Sequence, residues 1–135
     1  MDLQSQIAAF LAGRTYAVAG ASRDRAKYGN KVLRALVQNG RTVYPLHPKE
    51  TEVEGLACYR DLAALPTPID GLSIVTPPAV TEQIVEQAAA AGVRNVWIQP
   101  GAESPRAVQL AQSHGMNVIA GGPCLLVALR YREEG

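Results

Sequence analysis

The chain has 135 residues, 47% apolar and 19% charged, with 13 Lys and Arg against 12 Asp and Glu. That length suits one domain, 1–135, large enough for a core of its own, and the balanced charge excludes the basic excess of a broad nucleic-acid or membrane-surface binder. No apolar run approaches the ~20 residues of a membrane span, and Met1 to Gly13 lacks a basic stretch followed by an apolar core, so neither a membrane partner nor a secretory leader is read here.

In chain order, Ile7, Phe10 and Leu11 make a short amphipathic helix closed by Gly13, within an N-terminal segment 1–13. TYAVAGA (15–21) is a strand by its β-branched and small apolar content. Val32, Leu33, Leu36 and Val37 share one helical face, in a helix that starts near Gly29 and stops at Gly40. TVYPL (42–46) is a second strand, and 47–68 is irregular: a loop, a short edge strand and a weak helix near 59–65. GLSIV (71–75) is a third strand. Val80, Ile84, Val85, Ala88 and Ala91 form the next helical stripe, with Gly92 after it. NVWI (95–98) is a fourth strand. Ser104-Pro105 reads as an N-cap followed by proline at the first helical position, and that helix stops at Gly115. NVIA (117–120) is a fifth strand, and 124–135 is a tail whose apolar CLLVAL run offers a surface for a homo-oligomer or another protein.

The strands are nearly continuous apolar runs, the pattern of a parallel sheet covered on both faces. Strand-helix-strand repetition therefore predicts an α/β, doubly wound, mainly parallel sheet of five to six strands with helices on both faces, Rossmann-like. Such a sheet binds ligands outside the carboxyl ends of its strands, where the strand order reverses. Three loops converge there.

In the first loop Gly20, Ala21 and Ser22 are small, Gly29 precedes a helix whose free N–H groups favour a phosphate, and Lys27 lies one turn away. The same residues also suit a strand-to-helix turn that needs glycine only for its dihedrals. The second loop follows YPLHPK with no acid until Glu50. An NAD site places a carboxylate there for the ribose hydroxyls; Lys49 instead favours an adenosine carrying a ribose phosphate, as coenzyme A and NADP both do, or is a solvated loop lysine. The third loop, Thr76-Pro77-Pro78, is helix-start chemistry in which Thr76 caps, and also a rigid apolar wall for a flat base or a pantetheine arm.

Taken together, VAGASRDRAKYGNKVLRALVQNGRTVYPLHPKETEVEGLACYRDLAALP, TPP, VWIQPGA and a late Cys124 resemble the CoA-binding domain family, over about residues 10–127. That family comprises small bacterial and archaeal proteins similar to the amino-terminal domain of the succinyl-CoA synthetase alpha subunit. The resemblance implies coenzyme A as ligand. Contacts to its nucleotide and pyrophosphate fall on Gly20, Ala21, Ser22, Lys27, Tyr28 and Gly29, and the adenosine-phosphate end meets Pro48 and Lys49. Thr76, Pro77 and Pro78 line the cleft, and Trp97 and Gln99 flank it. Two departures stand out: His-Pro-Lys replaces Asn-Pro-Lys while keeping the lysine, and Ala128 and Leu129 stand where relatives carry Glu-His.

No catalytic set is recognisable. His114 lies in the last turn of a helix, where the dipole suits an imidazolium, and His47 sits in a ligand loop. No Ser-His-Asp order, Cys-His order or metal spacing is present, and Cys58 and Cys124 lack C-x-x-C spacing. Two free thiols fit a reducing cytoplasm. The expectation is a module that binds or senses CoA or an acyl-CoA, without evident catalysis. An NADP-binding oxidoreductase, or a remnant of one, and an interaction scaffold with an empty cleft are the alternatives.

Overall fold

The computed structural model describes residues 2–133. Five strands form one parallel sheet: β1 (Thr15–Ala19), β2 (Thr42–Leu46), β5 (Gly71–Ile74), β6 (Asn95–Ile98) and β7 (Asn117–Ile119). Between β2 and β5 lies a separate antiparallel hairpin, β3 (Glu52–Val53) with β4 (Leu56–Ala57). The helices are α1 (Leu3–Leu11), α2 (Tyr28–Gln38), α3 (Pro78–Ala90), α4 (Pro105–Ser113) and α5 (Leu125–Ala128). The sheet order is β2-β1-β5-β6-β7, with every pairing parallel. The doubly wound α/β expectation holds.

Alternation along each strand divides the core into two layers. Ala17 and Ala19 of β1 join Leu72, Ile74, Val96 and Ile98 beneath Val85 and Ala88 of α3 and Ala107 and Ala111 of α4. Tyr16 and Val18 face the other way. With Trp97 and Ile119 they pack under Phe10 of α1, Val32, Leu33 and Leu36 of α2, and Leu125 of α5. β2 is the edge strand, which tolerates Pro45: the missing N–H lies on the outer edge, where the Pro45 carbonyl accepts Tyr59 N–H at 2.9 Å.

Several expectations need adjustment. The first strand ends at Ala19, because Gly20 turns with φ +87°. Val37, assigned to the apolar stripe of α2, is 48% exposed, and Ala91 caps α3 on the surface. The weak helix near 59–65 reduces to one 3₁₀ turn, Leu62–Ala64, capped by Asp61 Oδ1 accepting Ala64 N–H at 3.1 Å. Thr76 does not cap α3. The N-cap is Pro77, and Thr81 Oγ1 instead reaches back to Thr76 Oγ1 at 2.7 Å. The Ser104 cap is as expected, its Oγ accepting Ala107 N–H at 3.3 Å. The apolar tail folds back on its own chain: Leu125 and Leu129 are buried on the α2 side, while Val127 is 77% exposed.

Candidate functional site

β1 and β5 are neighbours, but their crossovers run to opposite sides: β1 leads through α2 to β2, and β5 leads through α3 to β6. The chain segments that leave their carboxyl ends therefore diverge, which is where sheets of this order bind ligands. A cleft of about 220 Å³ opens there. Ala19 and Gly20 line it from β1, Leu46, His47 and Pro48 from the end of β2, and Thr76 from the end of β5. Val80, Ile84 and Gln87 contribute one face of α3, and Arg60, Asp61 and Leu62 close the side beyond β2.

Close backbone approach explains the two glycines of the first loop. A methyl built on Gly20 would fall within 3.0 Å of the Val75 carbonyl oxygen, and one on Gly29 within 3.0 Å of the Gly20 carbonyl oxygen. Real Cβ atoms essentially never come that near, so α2 seats its first turn directly on the end of β1 only because Gly29 has no side chain, and the missing side chain of Gly20 lets the end of β1 lie against the exit of β5. No side chain caps α2 at Lys27, so its first N–H groups keep their capacity for an anion.

The rest of the loop is folded by its own polar groups. Asp24 N–H donates to Ser22 Oγ at 3.1 Å, and Ala26 N–H donates to Asp24 Oδ1 at 2.9 Å. From below, Asn30 Nδ2 donates to the Ser22 carbonyl at 2.8 Å, and Arg34 Nη2 to the Arg25 carbonyl at 2.8 Å. The β3–β4 hairpin braces it from the side, through Glu54 to Arg25 at 3.5 Å and to Asn30 Nδ2 at 3.1 Å.

In the second loop His47 Nδ1 accepts the N–H groups of Lys49 at 3.0 Å and Glu50 at 3.1 Å, which closes a turn. Glu50 reaches across to Arg23 of the first loop at 3.7 Å. Lys27, Lys49 and Arg60 have no ion-pair partner among the described residues. These three cations outnumber Asp61, the carboxylate that lines the cleft beside Arg60, so the rim carries net positive charge although the whole chain is nearly neutral.

The residues singled out in the sequence divide into two groups. Gly20, Pro48 and Thr76 line the cleft. Ser22, Lys27 and Lys49 lie in the loops around it, Gly29 is buried in the first turn of α2, and Pro77 and Pro78 start α3, exposed beside it. Ala21, Tyr28, Trp97 and Gln99 belong to the opposite layer. Trp97 is wholly buried, edge-on to Phe10 at 5.3 Å, and its indole N–H donates to the Pro123 carbonyl at 3.0 Å. Gln99, also wholly buried, accepts Leu125 N–H at 3.0 Å and the Tyr28 hydroxyl at 3.2 Å through Oε1, and donates to Ser73 Oγ at 3.1 Å. The Tyr28 hydroxyl also bonds the Cys124 thiol. Burial, and then that thiol, push the Tyr28 phenol well above its usual range. This network is a strut beneath the first loop and does not face the cleft.

His47, read from the sequence as part of a ligand loop, lines the cleft, and so do Arg60, Asp61, Val80, Ile84 and Gln87, which the sequence had not assigned to it. For α3 a signal existed: its stripe continues to Val80, which is 40% exposed and so is not needed by the core. Arg60 and Asp61 arrive through the single parallel bridge between Leu46 and Tyr59, which no periodicity announces.

Among the described residues no helix is long and apolar enough to cross a membrane. The sequence pattern of the CoA binding domain matches residues 14–130. The alpha subunit of ADP-forming acetate–CoA ligase II from Pyrococcus furiosus is 32% identical over 121 residues, covering 82% of this chain. The chain spans only about a quarter of that relative's length, 26%. Among solved structures, a conserved hypothetical protein from Pyrococcus furiosus is 39% identical with a TM-score of 0.80, covering 85% of this chain and 98% of that one. A hypothetical protein from Pyrococcus horikoshii OT3 is 28% identical with a TM-score of 0.88, covering 94% of this chain and 89% of that one. With its parallel sheet, its reversed strand order and its glycine-bounded first loop, the chain belongs to the CoA binding domain family.

Proposed function

We propose that this chain binds coenzyme A, free or acylated, across the carboxyl ends of β1, β2 and β5, and acts as a binding or sensing module without catalysis of its own. The observation that carries the reading is the uncapped first turn of α2 lying against the end of β1, next to a cleft with a cationic rim. The pyrophosphate meets the N–H groups of α2 and the backbone of Gly20, Ala21 and Ser22, with Lys27 adding charge. The adenosine enters the cleft along Pro48 and Thr76, against the apolar face of α3, and Lys49 meets the ribose phosphate. Pro77 and Pro78 wall the exit, while Tyr28 and Gln99 support the loop from the other layer. Family membership supports the ligand. The ligase relative, of which this chain spans 26%, is named for a reaction with CoA, in keeping with that ligand. Two free cysteines are in keeping with a reducing cytoplasm.

Calorimetric titration with CoA, dephospho-CoA and NADPH tests the reading. It predicts binding of CoA, weaker binding of dephospho-CoA by about tenfold or more for a lost charged contact, and no preference for NADPH. NADPH binding without CoA binding would point to an oxidoreductase remnant. No binding of any of the three would point to a scaffold with an empty cleft.

A further inference from the structure

The second loop offers Lys49, but it is not the only cation at this rim. Tyr59 N–H donates to the Pro45 carbonyl and His47 N–H donates to the Tyr59 carbonyl, each at 2.9 Å. This short parallel pairing, with Tyr59 opposite Leu46, lays residues 58–60 along the outer edge of β2 like the end of a sixth strand. Arg60 is the next residue. It is delivered beside His47 at the level of the strand ends, and both line the cleft with Pro48. Its side chain is exposed, and among the described residues it takes part in none of the ion pairs. Of the acids in these loops, Asp61 also lines the cleft, its Oδ1 accepting Ala64 N–H, and Glu50 faces Arg23.

A phosphomonoester carries about −1.5 to −2 charges at pH 7 and three acceptor oxygens, more than one ammonium neutralises. A guanidinium adds a planar fork that matches two of those oxygens. We infer that Arg60 is a specificity-determining residue: with Lys49 it recognises a phosphate on the ribose of the bound adenosine. The inference rests on reading the cleft as the CoA site.

Calorimetry on the full chain, wild type against Arg60→Ala and Arg60→Lys, separates the two claims. Arg60→Ala weakens CoA by roughly ten- to a hundredfold and leaves dephospho-CoA within about twofold, the pattern of one lost charged hydrogen-bonding partner. Arg60→Lys recovers only part of the loss, because an ammonium lacks the fork. The melting temperature of both variants stays at the wild-type value, since no internal bond is removed. An equal loss toward CoA and dephospho-CoA, or no loss, overturns the role of Arg60 and leaves CoA binding standing. If the wild type binds NADPH and not CoA, the CoA reading falls; Arg60 keeps its role only if Arg60→Ala discriminates NADPH from NADH in the same way, and loses it otherwise. Failure of the wild type to bind any of these ligands overturns both.

Discussion

Replacing Gln99 by Leu tests the strut beneath the first loop. The side chain is wholly buried and joins four elements: Ser73 of β5, the Tyr28 hydroxyl at the start of α2, Leu125 N–H at the start of α5, and β6, whose end it follows. Leucine fills a similar volume, so little cavity forms and the loss is polar. Tyr28 keeps its bond to Cys124, whereas Ser73 Oγ and Leu125 N–H lose the partner the structure gives them. An orphaned buried group costs about 1–3 kcal/mol, so two of them, partly offset by the added apolar surface, give a destabilisation of roughly 2–4 kcal/mol. Urea denaturation followed by circular dichroism, with the slope checked for constancy, reads this directly. The variant with Ser73→Ala added removes one of the two orphans and recovers about 1 kcal/mol, a coupling that a cavity effect would not produce. A Gln99→Leu protein within about 0.5 kcal/mol of wild type would refute the strut, because ordinary surface substitutions fall in that range.

Gly29→Ala should destabilise the fold by about 1–3 kcal/mol in thermal unfolding, although alanine is the better helix former, because its methyl meets the Gly20 carbonyl; an unchanged or raised melting temperature would contradict the close approach. Asp70 accepts the N–H groups of Arg14 at 2.8 Å and Thr15 at 3.0 Å, and these bonds hold its carboxyl below the usual carboxylate range. A lowered folded value adds stability above the unfolded pKa of about 4 and loses it as pH falls through the folded value. Asp70→Ala should therefore be less stable than wild type at pH 7, and the gap should close under more acidic conditions; a gap independent of pH would count against it. Trp97 is the only tryptophan and is wholly buried away from the cleft. Its emission should be blue-shifted, protected from iodide and unaltered when CoA binds, whereas strong quenching by CoA would put the ligand in the other layer.

Strand and helix order was legible because each continuous apolar run is short and is followed by a helical stripe, and Ser104-Pro105 marks its helix start through local chemistry alone. Side-chain parity was harder to read. Ala19 and Ile98 face the α3–α4 layer, as the cleft does, so Trp97 and Gln99, one residue out of phase with Ile98, face α1, α2 and α5. A strand-end position is therefore not enough to assign a residue to a ligand. Val37 was misplaced because the core needs only Val32, Leu33, Ala35 and Leu36 from α2. The glycines at 20 and 29 were legible as a pair, but their reason is tertiary: each leaves room for a carbonyl from elsewhere in the chain. Arg60 was illegible because a single bridge to β2 places it.

The central claim is that the crevice where the chain segments leaving β1 and β5 diverge holds the nucleotide of coenzyme A. A crystal of the protein grown with CoA measures this most directly. The account predicts the pyrophosphate on the first turn of α2, the adenosine between Pro48 and Thr76, and the ribose phosphate within reach of Lys49 and Arg60. Density for CoA on another face, or a crevice filled by the protein's own side chains while CoA is bound elsewhere, would contradict it.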